Sequence, residues 1–320
     1  MRDIDLVYKD NEFCIPNAWE KLTPEQYQHL VDNLLLLSAG ELSPGEVRMR
    51  YVCDVMNWDL RRFRTEEQIA NLLVISEMVT FIFTIQYPDG CKAIQRLSDE
   101  EYCQAKRIDP HNLNFPLAAE LRREDYKFVV DWRFCAQLLP VLTVDGQKYH
   151  GYDVNTEYGM LTTSLVALQF LEARALVGKR NALPLLAAVL YYPGSYNSEG
   201  AHRLARKFQK LPESTLMAVA FNFTAFDNFL MSSTDYSILT KFGTPKAKEI
   251  SIDGIDALYD LSADGLGEAA SVEKMNVLTY LRLMRKKTIE SVKNLQALGY
   301  DIGKIANTTG LDIDVINKIL

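Results

Sequence analysis

The stretch Thr23-Pro24-Glu25-Gln26, with the apolar stripe that follows it as far as Gly40, decides the fold class of the N-terminal part. It places a hydroxyl at the N-cap of a helix, proline at the first helical position, and glutamine where its side chain closes a capping box. The same device recurs at Ser43-Pro44-Gly45-Glu46 and at Thr65-Glu66-Glu67-Gln68. These capped, periodic segments predict an array of helical hairpins joined by short connections.

The third helix of this array begins at the Thr65 capping box. Its apolar positions recur at helical spacing as far as Phe83, so we expect it to run from Thr65 to about Gln86. One face of it would carry Ile69, Leu72, Leu73, Ser76, Val79, Thr80 and Phe83.

The middle of the chain is less regular. Turn and breaker residues interrupt residues 87–120 around one capped helix that begins after Ser98, and residues 125–139 suit either a helix or a strand. A β-hairpin is predicted over 141–150, because two short β-favouring runs flank Asp145-Gly146, a pair that favours a primed turn.

Helices are expected again beyond residue 155. The predicted spans are 156–177, 181–192, 201–210, 213–232 and a long helix from about Ser271 to Gly299. The stretch from Ser214 to Thr234 holds one formal charge but carries several polar side chains near its middle, which lipid would disfavour. A buried helix is therefore the better interpretation, and no membrane contact is expected.

Together these elements predict a mainly α protein, with a multi-helical body, a minor β-hairpin near 141–150 and a small helical C-terminal tail. We expect four parts along the chain. They are an N-terminal helical array at 1–120, a second helical half with the hairpin at 121–235, a loop-rich linker at 236–270, and a C-terminal helix with a helix-turn-helix-like tail at 271–320.

The composition is that of an ordinary globular protein. Of the 320 residues, 48% are hydrophobic and 24% charged, which excludes a disordered or fibrous chain. The net charge of −7 argues against a protein whose whole surface coats nucleic acid, although it does not exclude a local basic patch. The charged first residues lack the apolar core of a signal peptide, so we expect a cytoplasmic protein with reduced cysteines.

No motif points to an enzyme. The 5 cysteines and 4 histidines are scattered without a CxxC pair, so no metal-ligand set is expected. The run Gly265-Leu266-Gly267 lacks a preceding strand and a third glycine, and neither a GxSxG elbow nor an HExxH motif occurs. We therefore expect a non-enzymatic protein without a cofactor, and a metal-free enzyme with an unrecognised site is a further alternative.

The densest aromatic region is a candidate partner site. Within the predicted helix 213–232, four phenylalanines recur at close intervals: Phe221, Phe223, Phe226 and Phe229. The simpler interpretation is the hydrophobic core of the second helical half. The functional alternative is an apolar groove that binds a helix of another protein.

Two basic clusters are candidate nucleic-acid sites. The first interleaves arginines with aromatic residues, which suits single-stranded nucleic acid, although Tyr51 and Trp58 fall on an apolar helical stripe and are more simply core residues. Its members are Arg48, Arg50, Arg61, Arg62 and Arg64, with Tyr51, Trp58 and Phe63. The second is Arg282, Arg285, Lys286 and Lys287.

The second cluster precedes a tail that resembles a helix-turn-helix unit. A short helix ending at Thr309-Gly310-Leu311 is followed by a second helix that would be the reading helix. That helix begins with Asp312 and Asp314, which oppose a phosphate backbone. A structural or partner-docking tail is therefore preferred, and DNA reading is the alternative.

The segment Ile15–Tyr27 (IPNAWEKLTPEQY) is similar to the opening segment of a set of uncharacterised proteins from phages and prophages of Bacteroidetes. Further pieces match the same group in order: Gly146–Gly151, Leu183–Pro193, Lys210–Pro212, Phe221–Phe223 and Val277–Leu281. Members of the group often carry arginine at the position of Tyr192, so no role of that arginine transfers. The resemblance does not cover the tail after about residue 285.

This group resembles products of the phage morphogenesis gene block, where tail and tail-assembly proteins lie. The resemblance implies a protein that binds other structural proteins in the host cytoplasm, as a chaperone of the tape-measure protein or as a minor component of the virion. An apolar groove bordered by the N-terminal helices or by the phenylalanine-rich helix would hold the partner. A DNA-binding regulator that uses the tail is the alternative function.

Overall fold

The computed structural model describes residues 2–8, 11–239 and 269–320. The predicted linker at 236–270 lies almost entirely outside these residues. Within them helices dominate, and the strands form two-stranded antiparallel sheets, which confirms a mainly α fold with a minor β component. The chain divides into two compact units, Met1–Asp131 and Trp132–Leu320.

The first unit contains six helices and four strands in its described part. They are β1 Ile4–Tyr8, β2 Asn11–Ile15, α1 Pro24–Ser38, α2 Pro44–Met56, α3 Glu66–Glu77, β3 Phe83–Gln86, α4 Lys92–Gln95, α5 Asp99–Ala105, α6 Ala118–Leu121 and β4 Lys127–Val130. All three predicted capping boxes form, at Thr23, Ser43 and Thr65, so α1, α2 and α3 begin where the sequence predicts.

The predicted end of α3 at Gln86 is wrong. The helix stops at Glu77, and Phe83–Gln86 forms β3, which pairs antiparallel with β4. The connection is held by the buried side chain of Asn17, whose Oδ1 accepts from Thr80 N at 2.9 Å and whose Nδ2 donates to Met78 O at 3.2 Å. Strand pairing and these bonds override the local periodicity. The β3–β4 pairing also attaches residues 121–131 to the first unit, which ends at Asp131 instead of residue 120.

The described part of the second unit begins with two small hairpins and continues as helices. Its elements are β5 Val141–Val144, β6 Gln147–His150, β7 Val154–Asn155, β8 Thr162–Thr163, α7 Ala167–Leu176, α8 Leu183–Leu190, α9 Ser198–Phe208, α10 Glu213–Ser233, α11 Ala269–Glu273, α12 Val277–Ala297, α13 Ile302–Thr309 and α14 Ile313–Ile319.

The hairpin predicted at 141–150 is confirmed, with positive φ at Asp145 (50°) and Gly146 (76°), as a primed turn requires. The helix predicted from residue 156 begins only at Ala167, because residues 154–163 form the β7–β8 hairpin instead. The long helix predicted from Ser271 begins at Val277, where the Asn276 side chain accepts from Leu278 N and caps it.

The core of the second unit is built around α10. Phe223 and Phe226 are fully buried, and the Phe223 ring packs edge-to-face on Phe170 of α7 at 5.8 Å. On the same helix Asn222 is 1% exposed, and its Oδ1 accepts from Leu138 N while its Nδ2 donates to Ala136 O, both at 2.8 Å. Helix α10 is therefore a core helix, and no helix in the described part of the chain has the length and apolar character to cross a membrane.

The last helices of the second unit form a small cluster of their own. The C-terminal half of α12 packs with α13 and α14 around Val292, Ile305, Leu311 and Ile316. Gly310 adopts φ 70° between α13 and α14, which lets the chain turn sharply where a side chain would be strained. The small helical tail is thus confirmed, as two consecutive short helices joined by a turn.

Candidate functional site

Helix α3 exposes an apolar face. Leu72 and Ser76 are its buried residues, while four large apolar side chains are open to solvent. Their exposed fractions are 46% for Ile69, 40% for Leu73, 61% for Val74 and 47% for Met78, the residue that caps the helix. Ile69 and Leu73 are four residues apart, as are Val74 and Met78, so they form two neighbouring pairs that together span about half of the helix circumference. We call this set the α3 face.

Carboxylates mark both ends of the α3 face. Glu66 lies in the first turn of α3 and Glu77 is its last residue. Their separation by three helical turns, about 16 Å, places both on the side that carries Leu73. The face is therefore an apolar stripe bounded by negative charge, and no lysine or arginine lies within α3.

The sequence indicated this helix but not its outer surface. It placed Ile69, Leu72 and Leu73 on one core-facing side, whereas the structure buries Leu72 and exposes the other two. The missed signal is the width of the apolar pattern. Apolar residues are adjacent in the sequence at Ile69-Ala70 and Leu73-Val74, so the apolar part of the helix surface is wider than the part that packs on α2.

The four phenylalanines of α10 do not gather at the surface. Phe223 and Phe226 belong to the core, as the simpler interpretation expected, and the Phe226 ring packs against Tyr152 at 5.4 Å. Phe221 and Phe229 are half-buried, and Phe221 stacks on Trp132 at 4.8 Å. A groove made from all four rings would require α10 to leave the core.

The basic residues of α12 do not form one free surface. Arg285 Nε donates to Asp235 O at 3.1 Å, and Lys286 Nζ lies 3.7 Å from Glu290 Oε1. Arg282 is exposed, whereas Lys287 is half-buried in the wall of a cleft beside Met284.

The outer surface of α14 is mixed in character. Asp312 caps the helix by accepting from Asp314 N, so a carboxylate pair lies where a reading helix would approach phosphate. Ile313 is 50% exposed and Lys318 is the basic residue of the helix. This charge distribution favours contact with protein over contact with DNA.

The arginine–aromatic cluster of the first unit separates into two groups. Tyr51 is buried, and its hydroxyl donates to Pro16 O at 2.6 Å, as a core residue would. Arg48 is also buried, with its guanidinium over the rings of Phe83 and Phe128 at 5.4 and 5.1 Å. Desolvation lowers the pKa of Arg48, and its Nε and Nη2 atoms have no hydrogen-bond partner among the described residues.

Of the remaining members, Arg50, Trp58 and Arg61 line one cleft of about 460 Å³ at the end of α2, and Arg62, Phe63 and Arg64 do not. The lining residues are Asn33, Arg50, Cys53, Asp54, Trp58, Asp59, Leu60 and Arg61. Burial raises the pKa of the Cys53 thiol to about 11, so this cysteine is protonated at neutral pH and is a poor nucleophile. Within the described ranges, no group of His, Cys, Asp and Glu side chains has the geometry of a metal site.

Comparison with protein-family models, with curated proteins and with solved structures gave no match to this chain.

Proposed function

We propose that this protein binds other structural proteins during phage or prophage morphogenesis, in tail assembly, as a chaperone of the tape-measure protein or as a minor virion component. It would act in the host cytoplasm and, in the second case, remain in the virion. Two observations support this proposal. They are the sequence resemblance to morphogenesis-region proteins and the exposed α3 face, which is the single structural feature that carries it.

The α3 face suits an amphipathic helix of the partner. Contiguous exposed apolar side chains on a helix are typical of protein contact sites, and a helix that lays its own apolar stripe on them removes both from water. The stripe ends at Glu66 and Glu77, so a partner helix with lysine or arginine about three turns apart has complementary charge.

The same charges disfavour pairing of α3 with a second copy of itself. An antiparallel pair brings Glu66 of each copy towards Glu77 of the other, and a parallel pair aligns identical glutamates. Like charges across a contact oppose it. The favoured occupant is therefore a basic amphipathic helix of a different protein.

The test is co-expression with the tape-measure and tail-tube proteins encoded in the same gene block. The double variant Leu73→Lys/Val74→Lys introduces cations into the apolar stripe and is expected to reduce co-purification at least tenfold while the circular dichroism spectrum is unchanged. Met160→Lys is the matched control, because Met160 is 67% exposed in the second unit and lies outside α3.

Equal recovery of the partner with both variants would refute the proposal. So would sedimentation that shows the wild-type chain forming dimers that the double variant loses, since α3 would then bind a second copy.

One observation favours the second candidate, a DNA-binding regulator: α13 and α14 are two short helices joined by a turn, in the order of a helix-turn-helix unit. DNA retention at physiological salt that weakens in Lys286→Ala/Lys287→Ala would support it. The aspartates at the start of α14 lead us to expect no such retention.

A further inference from the structure

The cleft at the end of α2 combines features that proteins use to bind small planar ligands. Its volume of about 460 Å³ is that of a typical small-molecule site. Polar side chains converge on it from α1, α2 and the segment after α2. This cleft is separate from the α3 face and does not depend on the proposed function.

One wall presents hydrogen-bond donors and acceptors side by side. Asn33 of α1 is 7% exposed, and its Oδ1 accepts from Arg50 Nη1 at 3.4 Å, which is a long bond. Asn33 and Arg50 both lower the pKa of the neighbouring Asp54 carboxylate, against the effect of desolvation. An amide, a guanidinium and a carboxylate thus lie next to one another along the wall.

The Asp54 carboxylate lines the cleft and is exposed to solvent, so it is accessible to a ligand. It lies in the last turn of α2, where the helix dipole disfavours negative charge. Desolvation raises its pKa, although His29, Arg50 and Asn33 act in the opposite direction. A ligand that donates N–H groups to this carboxylate would stabilise its charged form.

The same cleft is lined by an aromatic ring, Trp58, and by a further arginine, Arg61. Trp58 is held by the rings of Phe13 and Phe63, at centroid distances of 6.4 and 5.7 Å. Arg61, which lines the cleft, has a 94% exposed side chain whose Nε lies 3.7 Å from Asp59 Oδ1. The next residue, Arg62, does not line the cleft, but its 84% exposed side chain also reaches Asp59, with Nε 3.9 Å from Oδ2. Ion pairs this exposed are weak, so both guanidinium groups are available to an anion.

We propose that this cleft binds a guanine nucleotide. The ring stacks on Trp58, its N–H donors face the Asp54 carboxylate, and its acceptor edge faces the guanidinium of Arg50. The phosphate contacts Arg61 and Arg62 at the rim. A free mononucleotide and an unpaired guanosine of a single-stranded nucleic acid offer this same chemistry.

The test is isothermal titration calorimetry of the full-length protein with GMP, AMP and a single-stranded deoxyguanosine-rich decamer. We expect saturable binding of GMP or of the decamer, with AMP at least tenfold weaker. Asp54→Asn should remove the preference for guanine, because an amide cannot accept from both N–H groups, and Arg61→Ala/Arg62→Ala should weaken binding of every ligand. Lys210→Ala is the control, since it removes an exposed cation of the second unit.

Binding of GMP would identify a mononucleotide site, and binding of the decamer alone would identify a single-strand site. The proposal is overturned if neither ligand binds at millimolar concentration. It is also overturned if Asp54→Asn, folded by circular dichroism, keeps the ratio of GMP to AMP affinity.

Discussion

Replacing tyrosine by phenylalanine should change the free energy of unfolding in opposite directions at two neighbouring tyrosines of the second unit. The Tyr152 hydroxyl is buried without a hydrogen-bond partner among the described residues, and its ring packs against Phe226. The Tyr191 hydroxyl is equally buried but donates to Leu139 O at 2.5 Å. Burial raises the pKa of both phenols, so both are neutral below pH 9.

The magnitudes follow from the cost of an unpaired buried polar group, which is about 1–3 kcal/mol. Tyr152→Phe removes such a group and should raise the free energy of unfolding by about 1–2 kcal/mol. Tyr191→Phe breaks a hydrogen bond and leaves the Leu139 carbonyl unpaired, so it should lower that free energy by about 1–3 kcal/mol. For a unit of this size each kcal/mol shifts Tm by about 2–4 °C.

Differential scanning calorimetry at pH 7 measures both shifts, with urea unfolding followed by near-ultraviolet circular dichroism as an independent check. Both variants keep the aromatic ring, so packing is matched and only the hydroxyl differs. A Tyr152→Phe variant that loses as much stability as Tyr191→Phe would refute the reasoning, because it would show that the Tyr152 hydroxyl is hydrogen-bonded in solution.

Two further substitutions test the buried polar groups of each unit. Asn222→Ala should lower the free energy of unfolding by about 2–5 kcal/mol, because it leaves Leu138 N and Ala136 O without their hydrogen-bond partner. Urea titrations measure this change, and a loss of stability below about 1 kcal/mol would contradict the two hydrogen bonds. Arg48→Met should raise the free energy of unfolding by about 1–2 kcal/mol. It replaces a buried guanidinium, whose Nε and Nη2 have no hydrogen-bond partner among the described residues, with an apolar side chain of similar length. The exposed Arg203→Met is the control, and a destabilised Arg48→Met would show that the contacts with Phe83 and Phe128 outweigh desolvation.

The elements that the sequence predicted correctly are those specified by neighbouring residues. The capping boxes at Thr23, Ser43 and Thr65 join side chains and backbone three residues apart, and the Asp145-Gly146 turn needs only its own two residues. The end of α3 depends instead on Asn17, which is 63 residues from Thr80. Contacts at that separation leave no periodic signal in the sequence. The β1–β2 and β7–β8 hairpins pair residues that are close in the chain, and they were missed because neither carries the Asp-Gly or Asn-Gly pair that marks a tight hairpin turn.

The candidate sites were harder to predict, because periodicity shows that a helix has an apolar side but not what covers it. In α10 the spacing of the phenylalanines is compatible with a hydrophobic core or with a binding groove. Only the packing of neighbouring helices shows that Phe223 and Phe226 belong to the core. In α3 the apolar pattern is wider than the contact with α2, and the excess remains exposed as Leu73 and Val74. An exposed side of this kind costs solubility in a free protein, so its presence on an otherwise ordinary helix favours a binding role. Whether a stripe of apolar residues stabilises the fold or binds a partner is therefore decided by the area that its neighbours leave open.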